Sequence, residues 1–148
     1  MVKYLRDISL KKKIVVITGA TKGIGRSTSV AMHQVGAFII AIGRNTKDLK
    51  SLKKKLKNRV KCIECDVNDY EKISKIIKSL KRIDILVNNA GTNLPEPFLK
   101  VKKTSLETLL NTNTKAAFNM AKLCTDKMLK LKNRKKIGGS IIHTSSMF

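Results

Sequence analysis

A chain of 148 residues with 42% hydrophobic residues suits one globular domain and is too apolar for disorder. No apolar run approaches the roughly 20 residues of a membrane span, and "MVKYLRDISLKKK" lacks the apolar segment of a secretory signal, so a cytoplasmic protein is expected. The net charge of +22 would suit a polyanion partner, but the lysines are scattered over nearly every predicted surface and aromatics make up only 4%, so no specific nucleic acid is expected.

The predicted elements alternate. "KIVVITG" (Lys13 to Gly19) is a short, apolar, β-branched run and reads as a buried parallel strand. Gly23 to Val35 reads as a helix, with Ser27, Val30, Ala31 and Val35 near the spacing of a packed face. "AFIIAIG" is a second buried strand, and Asn45 to Lys57 a lysine-rich amphipathic helix with Leu49, Leu52 and Leu56 on one stripe. "VKCIECDV" is a third strand. It contains a Cys-x-x-Cys pair, Cys62 and Cys65, but with Cys124 the cysteines number only three, with no second pair and no nearby histidine. A metal site is therefore not expected, and the thiols suit small packed hydrophobes in a reducing compartment.

Asn68 and Glu71 have capping-box spacing and open a helix whose stripe is Ile73, Ile76, Ile77 and Leu80. "DILVNNAG" is a fourth strand, and Pro95 and Pro97 mark the loop "TNLPEPFLKV". Thr104 and Glu107 again have capping-box spacing. They open a long helix with Leu106, Leu109, Leu110, Asn113, Ala117, Met120, Cys124 and Met128 along its stripe. "NRKKIGG" is a turn and "SIIHTSS" a fifth strand. Strict alternation of strand and helix implies an α/β fold with a Rossmann-like, doubly wound parallel sheet and right-handed crossovers, in one domain over residues 1–148.

The first strand runs straight into "TGATKGIGR", where Gly19, Gly23 and Gly25 lie between a strand and a helix. Glycines there permit a tight turn and a close approach of backbone to a pyrophosphate, which the free N–H groups and dipole of a helix N-terminus attract. A dinucleotide fold usually carries an acid at the end of its second strand for the ribose 2′-hydroxyl. Here Gly43 holds that place, Arg44 follows, and Lys22 lies in the glycine loop. Two cations and no carboxylate suit a 2′-phosphate, so NADPH is favoured over NADH.

On these residues the chain resembles the short-chain dehydrogenase/reductase family from Lys11 onward. "TGATKGIG" (Thr18 to Gly25), "CDV" (Cys65 to Val67), "NNAG" (Asn88 to Gly91) and "NTNTKAAF" (Asn111 to Phe118) match in order, and "GGSIIHTSS" resembles the serine-bearing strand. "KGIGR", Arg44 and "PEPFLKV" look similar to the NADPH-dependent carbonyl and L-xylulose (diacetyl) reductases. The resemblance implies cofactor binding by Gly19, Thr21, Lys22, Gly23, Ile24, Gly25 and Arg44. It implies that Asp66 bonds the adenine amino group beside Val67, and that Asn88, Ala90 and Gly91 support the cofactor ribose and hold the sheet together. Catalytic roles fall to Asn113, which would position a water for proton relay, and to Ser146, which would hold a substrate carbonyl. For Asn113 a second reading is an asparagine that bonds neighbouring backbone.

The implied reaction is hydride transfer from a nicotinamide to the carbonyl of a small molecule, with a tyrosine from a Tyr-x-x-x-Lys motif donating the proton. The chain's tyrosines are Tyr4 and Tyr70, and neither lies in such a motif. The expectation is therefore a sheet of about five strands that ends at the serine-bearing strand, C-terminally truncated, with an open edge and doubtful activity in isolation. Full-length family members are expected to be homo-oligomers. Two other readings remain: a non-catalytic NADP(H)-binding fragment, and a basic nucleic-acid-binding module.

Overall fold

The computed structural model describes residues 8–132 and 138–145. In chain order these form β1 (Ile14–Thr18), α1 (Gly23–Gln34), β2 (Phe38–Gly43), α2 (Thr46–Leu56), β3 (Val60–Glu64), α3 (Tyr70–Ser79), β4 (Ile85–Asn88), a 3₁₀ turn (Phe98–Lys100), α4 (Lys103–Leu110), a π-helical segment (Asn111–Lys115), α5 (Ala116–Leu129) and β5 (Ser140–His143). The five strands form one parallel sheet in the order β3-β2-β1-β4-β5. This is the doubly wound α/β arrangement that the alternation of elements predicts. β1 is central, and its first four residues, Ile14 to Ile17, are apolar, so both of its faces can be covered.

Register and side-chain alternation sort the core into two layers. Val16 lies opposite Ile40 on one side and Leu86 on the other. These three share a face with Ile73 and Ile77 of α3 and with Met120, Cys124 and Met128 of α5. Ile17, one residue on, lies between Ala41 and Val87 and points the other way. It packs with Leu49, Leu52 and Leu56 of α2, and Val30 and Met32 of α1 lie against the same layer.

Helix ends and faces depart from the sequence reading at four places. In α1 the buried residues are Gly25 and Ser29, and Ser27 is exposed. The packed face is shifted because Gly25 is drawn against the loop beside it. The cap of α3 is Asp69, whose carboxylate accepts from the Lys72 N–H at 3.0 Å, not Asn68. Asn68 is used elsewhere: its N–H donates to Asp66 and its side-chain amide to Thr112. Thr104 does not cap α4 either; the helix begins at Lys103 and the loop residue Glu96 covers its first turn. The single stripe predicted for the long helix is broken. α4 buries none of its residues, and Leu106 and Leu110 are about half exposed, whereas Ala116, Met120, Cys124 and Met128 are buried at strict four-residue spacing. The π-helical segment between them inserts a residue into the turn, so apolar positions before and after it cannot share one face.

Asp84 ties the sheet together where β4 begins. It is 3% exposed. Its Oδ2 accepts from the Ile14 N–H at 2.9 Å, its own N–H donates to the Ile14 carbonyl, and Oδ1 takes two bonds from the Arg82 guanidinium at 2.9 and 2.7 Å. β5 joins there too, through the Ser140 N–H to the Asp84 carbonyl. Asp84→Ala leaves the Ile14 N–H without its acceptor. The expected loss is about 1–3 kcal/mol, read as a lower midpoint of denaturant unfolding at unchanged slope.

Candidate functional site

Among the described residues the main cleft, of about 520 Å³, opens where the C-terminal ends of β1, β2, β3 and β4 meet. The chain leaves β1 for β2 on one side, while β4 returns to β1 on the other. That divergence is the topological switch point at which open α/β sheets bind ligands. Four strand ends supply the walls: Gly19 to Gly23 after β1, Gly43 to Asn45 after β2, Cys65 to Val67 after β3, and Asn89 to Gly91 after β4.

The floor is a hydrogen-bond cluster around the end of β1. The buried Thr18 hydroxyl donates to the Val87 carbonyl at 3.5 Å and accepts from the N–H groups of Asn89 and Ala90, both at 3.0 Å. The Asn89 side-chain amide donates back to the carbonyls of Thr18 and Gly19. Gly19 has φ +63, a conformation that side chains rarely adopt. Gly25 sits so close that an added Cβ would fall 2.3 Å from the Gly19 carbonyl oxygen and 2.4 Å from Asn89 Nδ2. The glycine loop is thus held against the end of β4, and α1 begins directly above it.

Nine of the residues singled out from the sequence line this one cleft: Gly19, Thr21, Lys22, Gly23, Arg44, Asp66, Val67, Ala90 and Gly91. Gly25 lies behind the wall and sets its shape. Ile24 is 65% exposed and turned outward. Asn88 lies below the cleft, where its amide donates to the Ala117 carbonyl and meets His143 Nδ1 at 3.4 Å, tying β4 to α5 and β5. Asn113 is spent on the loop: its Oδ1 accepts from the Thr92 N–H at 2.8 Å and its Nδ2 donates to the Thr92 carbonyl at 2.9 Å. Both bonds run to the backbone of Thr92, 21 residues earlier in the chain. Ser146 lies outside the described residues.

Thr18, Asn89, Asn45 and Thr112 complete the site and were not singled out from the sequence. Thr18, Asn89 and Thr112 fall inside the matched stretches, but sequence spacing does not show which of two adjacent asparagines faces the cleft. Cys65 also lines it, and burial pushes its thiol above the ordinary range. Cys124, deep among apolar side chains, is pushed up to about 12. Neither is a ready nucleophile at neutral pH. No group of three metal-ligating side chains occurs among the described residues.

The cations at the mouth are not alone. Arg44 Nη1 stands 3.6 Å from Asp66 Oδ2, and Lys22 Nζ stands 3.7 Å from Asp48 Oδ2. Sequence order hides both pairings, since Asp66 follows β3 and Asp48 lies in the first turn of α2. Across the mouth, loop 92–101 is pinned twice, by Asn113 at Thr92 and by Glu96 at α4. Glu96 accepts from the Lys102 N–H and from the Ser105 hydroxyl, both at 3.0 Å.

The family model described as short chain dehydrogenase matches residues 13–148. The chain belongs to the short-chain dehydrogenase/reductase family, a family of oxidoreductases. It is 32% identical over 140 residues to an L-xylulose reductase of Mus musculus, an alignment covering 95% of this chain and 55% of the relative. It is 33% identical over 132 residues to carbonyl reductase (NADPH) 2 of Sus scrofa, covering 89% of this chain and 52% of the relative. A solved structure titled as the closed form of serine dehydrogenase complexed with NADP+ superposes with a TM-score of 0.82 at 34% identity, over 90% of this chain and 54% of the other. The chain therefore spans about half the length of the relatives it matches.

Two outcomes test the geometry. Thr18→Val removes the acceptor of two N–H groups at the floor and is expected to cost about 2–4 kcal/mol in chemical unfolding, whereas Thr18→Ser should stay within about 1 kcal/mol of wild type. The Glu96 carboxyl is held below the usual range, chiefly by the Lys102 N–H and further by the Ser105 hydroxyl. Its contribution is present above the ordinary glutamate value of about 4.3 and is lost as pH falls through the lowered folded value. Hydrogen-exchange protection of the Lys102 amide should therefore persist at mildly acidic pH and vanish below it. Glu96→Gln should flatten that dependence.

Proposed function

We propose that this chain is the NADPH-binding half of a carbonyl reductase, acting on a ketone, ketose or dicarbonyl of small size. The observation that carries the reading is the convergence of the glycine loop, Arg44, Asp66 and the Asn89–Gly91 backbone on one cleft at the switch point of the sheet. The residues present fit a dinucleotide. Gly19 and Gly25 let the backbone approach a pyrophosphate above α1, and Arg44 and Lys22 supply positive charge where a 2′-phosphate would lie. Asp66 presents acceptors for an adenine amino group. The relatives named for L-xylulose and for NADPH-dependent carbonyl reduction support the cofactor and the substrate class.

The bound cofactor would supply hydride to the substrate carbon. The chain's own residues bind and orient it: the Thr18 cluster fixes the floor, and Asn113 and Glu96 hold loop 92–101 beside the site. Proton donation needs a group poised at the carbonyl oxygen. Tyr70 opens α3 and is 46% exposed, outside the cleft, and Tyr4 lies outside the described residues. The reading is therefore that the 148 residues alone bind NADPH and do not reduce a carbonyl at an appreciable rate. Three free thiols suit a reducing, cytoplasmic setting, and no described helix is long and apolar enough to cross a membrane.

A second reading, a binding module without chemistry, shares the same cleft. Purified chain should quench or shift NADPH fluorescence on titration and bind NADH at least about tenfold more weakly, the worth of one charge-assisted contact. Arg44→Asp should erase or reverse that preference. A preference unchanged by Arg44→Asp removes Arg44 from the phosphate site, and turnover of a diketone or ketose by the wild-type chain overturns the claim that these residues bind without reducing.

A further inference from the structure

The two cations of the cleft differ in how their carboxylate partners are placed. Asp66 lines the cleft itself, while Asp48 stands behind Lys22 and lines none of it. Asp48 Oδ2 is buried without a hydrogen-bond partner among the described residues, and the Lys22 ammonium 3.7 Å away is its counter-charge. Asp48 cannot drift off, because its N–H is held by Asn45 Oδ1 at 3.0 Å and its carbonyl by Arg26 Nη1 at 3.2 Å. Arg26 also reaches Ser51 of α2 and the Thr21 carbonyl of the glycine loop. It thus ties the glycine loop, which carries Lys22, to α2, which carries Asp48.

We propose that Asp48 is a positioning residue that weakens discrimination for the cofactor's 2′-phosphate, by holding and neutralising Lys22 beside the cleft. This rests on the reading of the cleft as an NADP(H) site and names the regulator of its selectivity. A phosphate arriving at the mouth meets a lysine already compensated by a fixed carboxylate. It must share that lysine, and it feels the repulsion of Asp48 through the same few ångströms. NADH, which lacks the phosphate, is indifferent to the pair. Lys22 is 77% exposed, so solvent screens both effects and the expected change is modest.

The test is parallel titration of wild type, Asp48→Asn and Asp48→Ser with NADPH and with NADH at low and high salt. Both variants are expected to bind NADPH about two- to fivefold more tightly, with NADH affinity unchanged and the gain shrinking as salt rises. Lys22→Met should abolish most of the gain when combined with Asp48→Asn, because the coupling runs through the lysine. An NADPH-to-NADH ratio that stays put or falls in both variants overturns the proposal, as does equal tightening of both cofactors, which would mark a general loosening of the loop. A wild-type chain that binds neither cofactor sinks the NADP(H) reading itself, and this inference with it. Binding of NADPH with an unmoved ratio sinks only the role of Asp48.

Discussion

A hydroxyl has one proton and two lone pairs, and at Thr18 all three are engaged in the short stretch where β1 and β4 end. This small cluster is the constraint on which the cleft depends. It fixes the end of the fourth strand against the end of the first, so that the Asn89 amide can reach the Thr18 and Gly19 carbonyls. With Asn89 in place there is room at Gly25 only for a hydrogen atom, and the first turn of α1 settles onto the loop. A strand-to-strand bond thereby sets the height of a helix N-terminus, a position whose free N–H groups and dipole favour an anion.

The outer parts of the cleft are governed by charge rather than by close packing. Lys22, Arg44, Asp48 and Asp66 come from four different segments and meet as two ion pairs of 3.6 and 3.7 Å. Such pairs at a surface contribute little to stability. The remaining lysines are spread over α2 to α5 and the segments between elements, where their like charge repels other copies of the chain.

Much of this was legible in the sequence because it depends on local pattern. Apolar β-branched runs ending in glycine place β1 and β2, and Leu49, Leu52 and Leu56 mark the buried stripe of α2. Nine cleft residues followed from motifs that sit at strand ends. What was not legible is decided by long-range partners. Asn68 and Asp69 are equally good caps on paper, and the choice fell to Asp69 because Asn68 bonds Thr112, 44 residues away. At the start of α4 it is Glu96, from the loop before the helix, that bonds the Lys102 N–H and the Ser105 hydroxyl. The carboxylates beside Lys22 and Arg44 are brought in by the fold, so the mouth is less purely basic than its local sequence.

The π-helical segment at Asn111–Lys115 acts as a gear change in the screw of the long helix. Each residue advances an α-helix by about 100°, so a single residue added to the turn rotates everything before it by that amount relative to everything after it. α5 keeps Ala116, Met120, Cys124 and Met128 locked on the sheet, while α4 swings its leucines toward solvent and offers its first turn to Glu96. Excising one residue from the segment would bring the two halves back into phase. It would also turn Asn113 away from Thr92 and release the loop beside the cleft, so the irregular turn belongs to the site as much as to the helix.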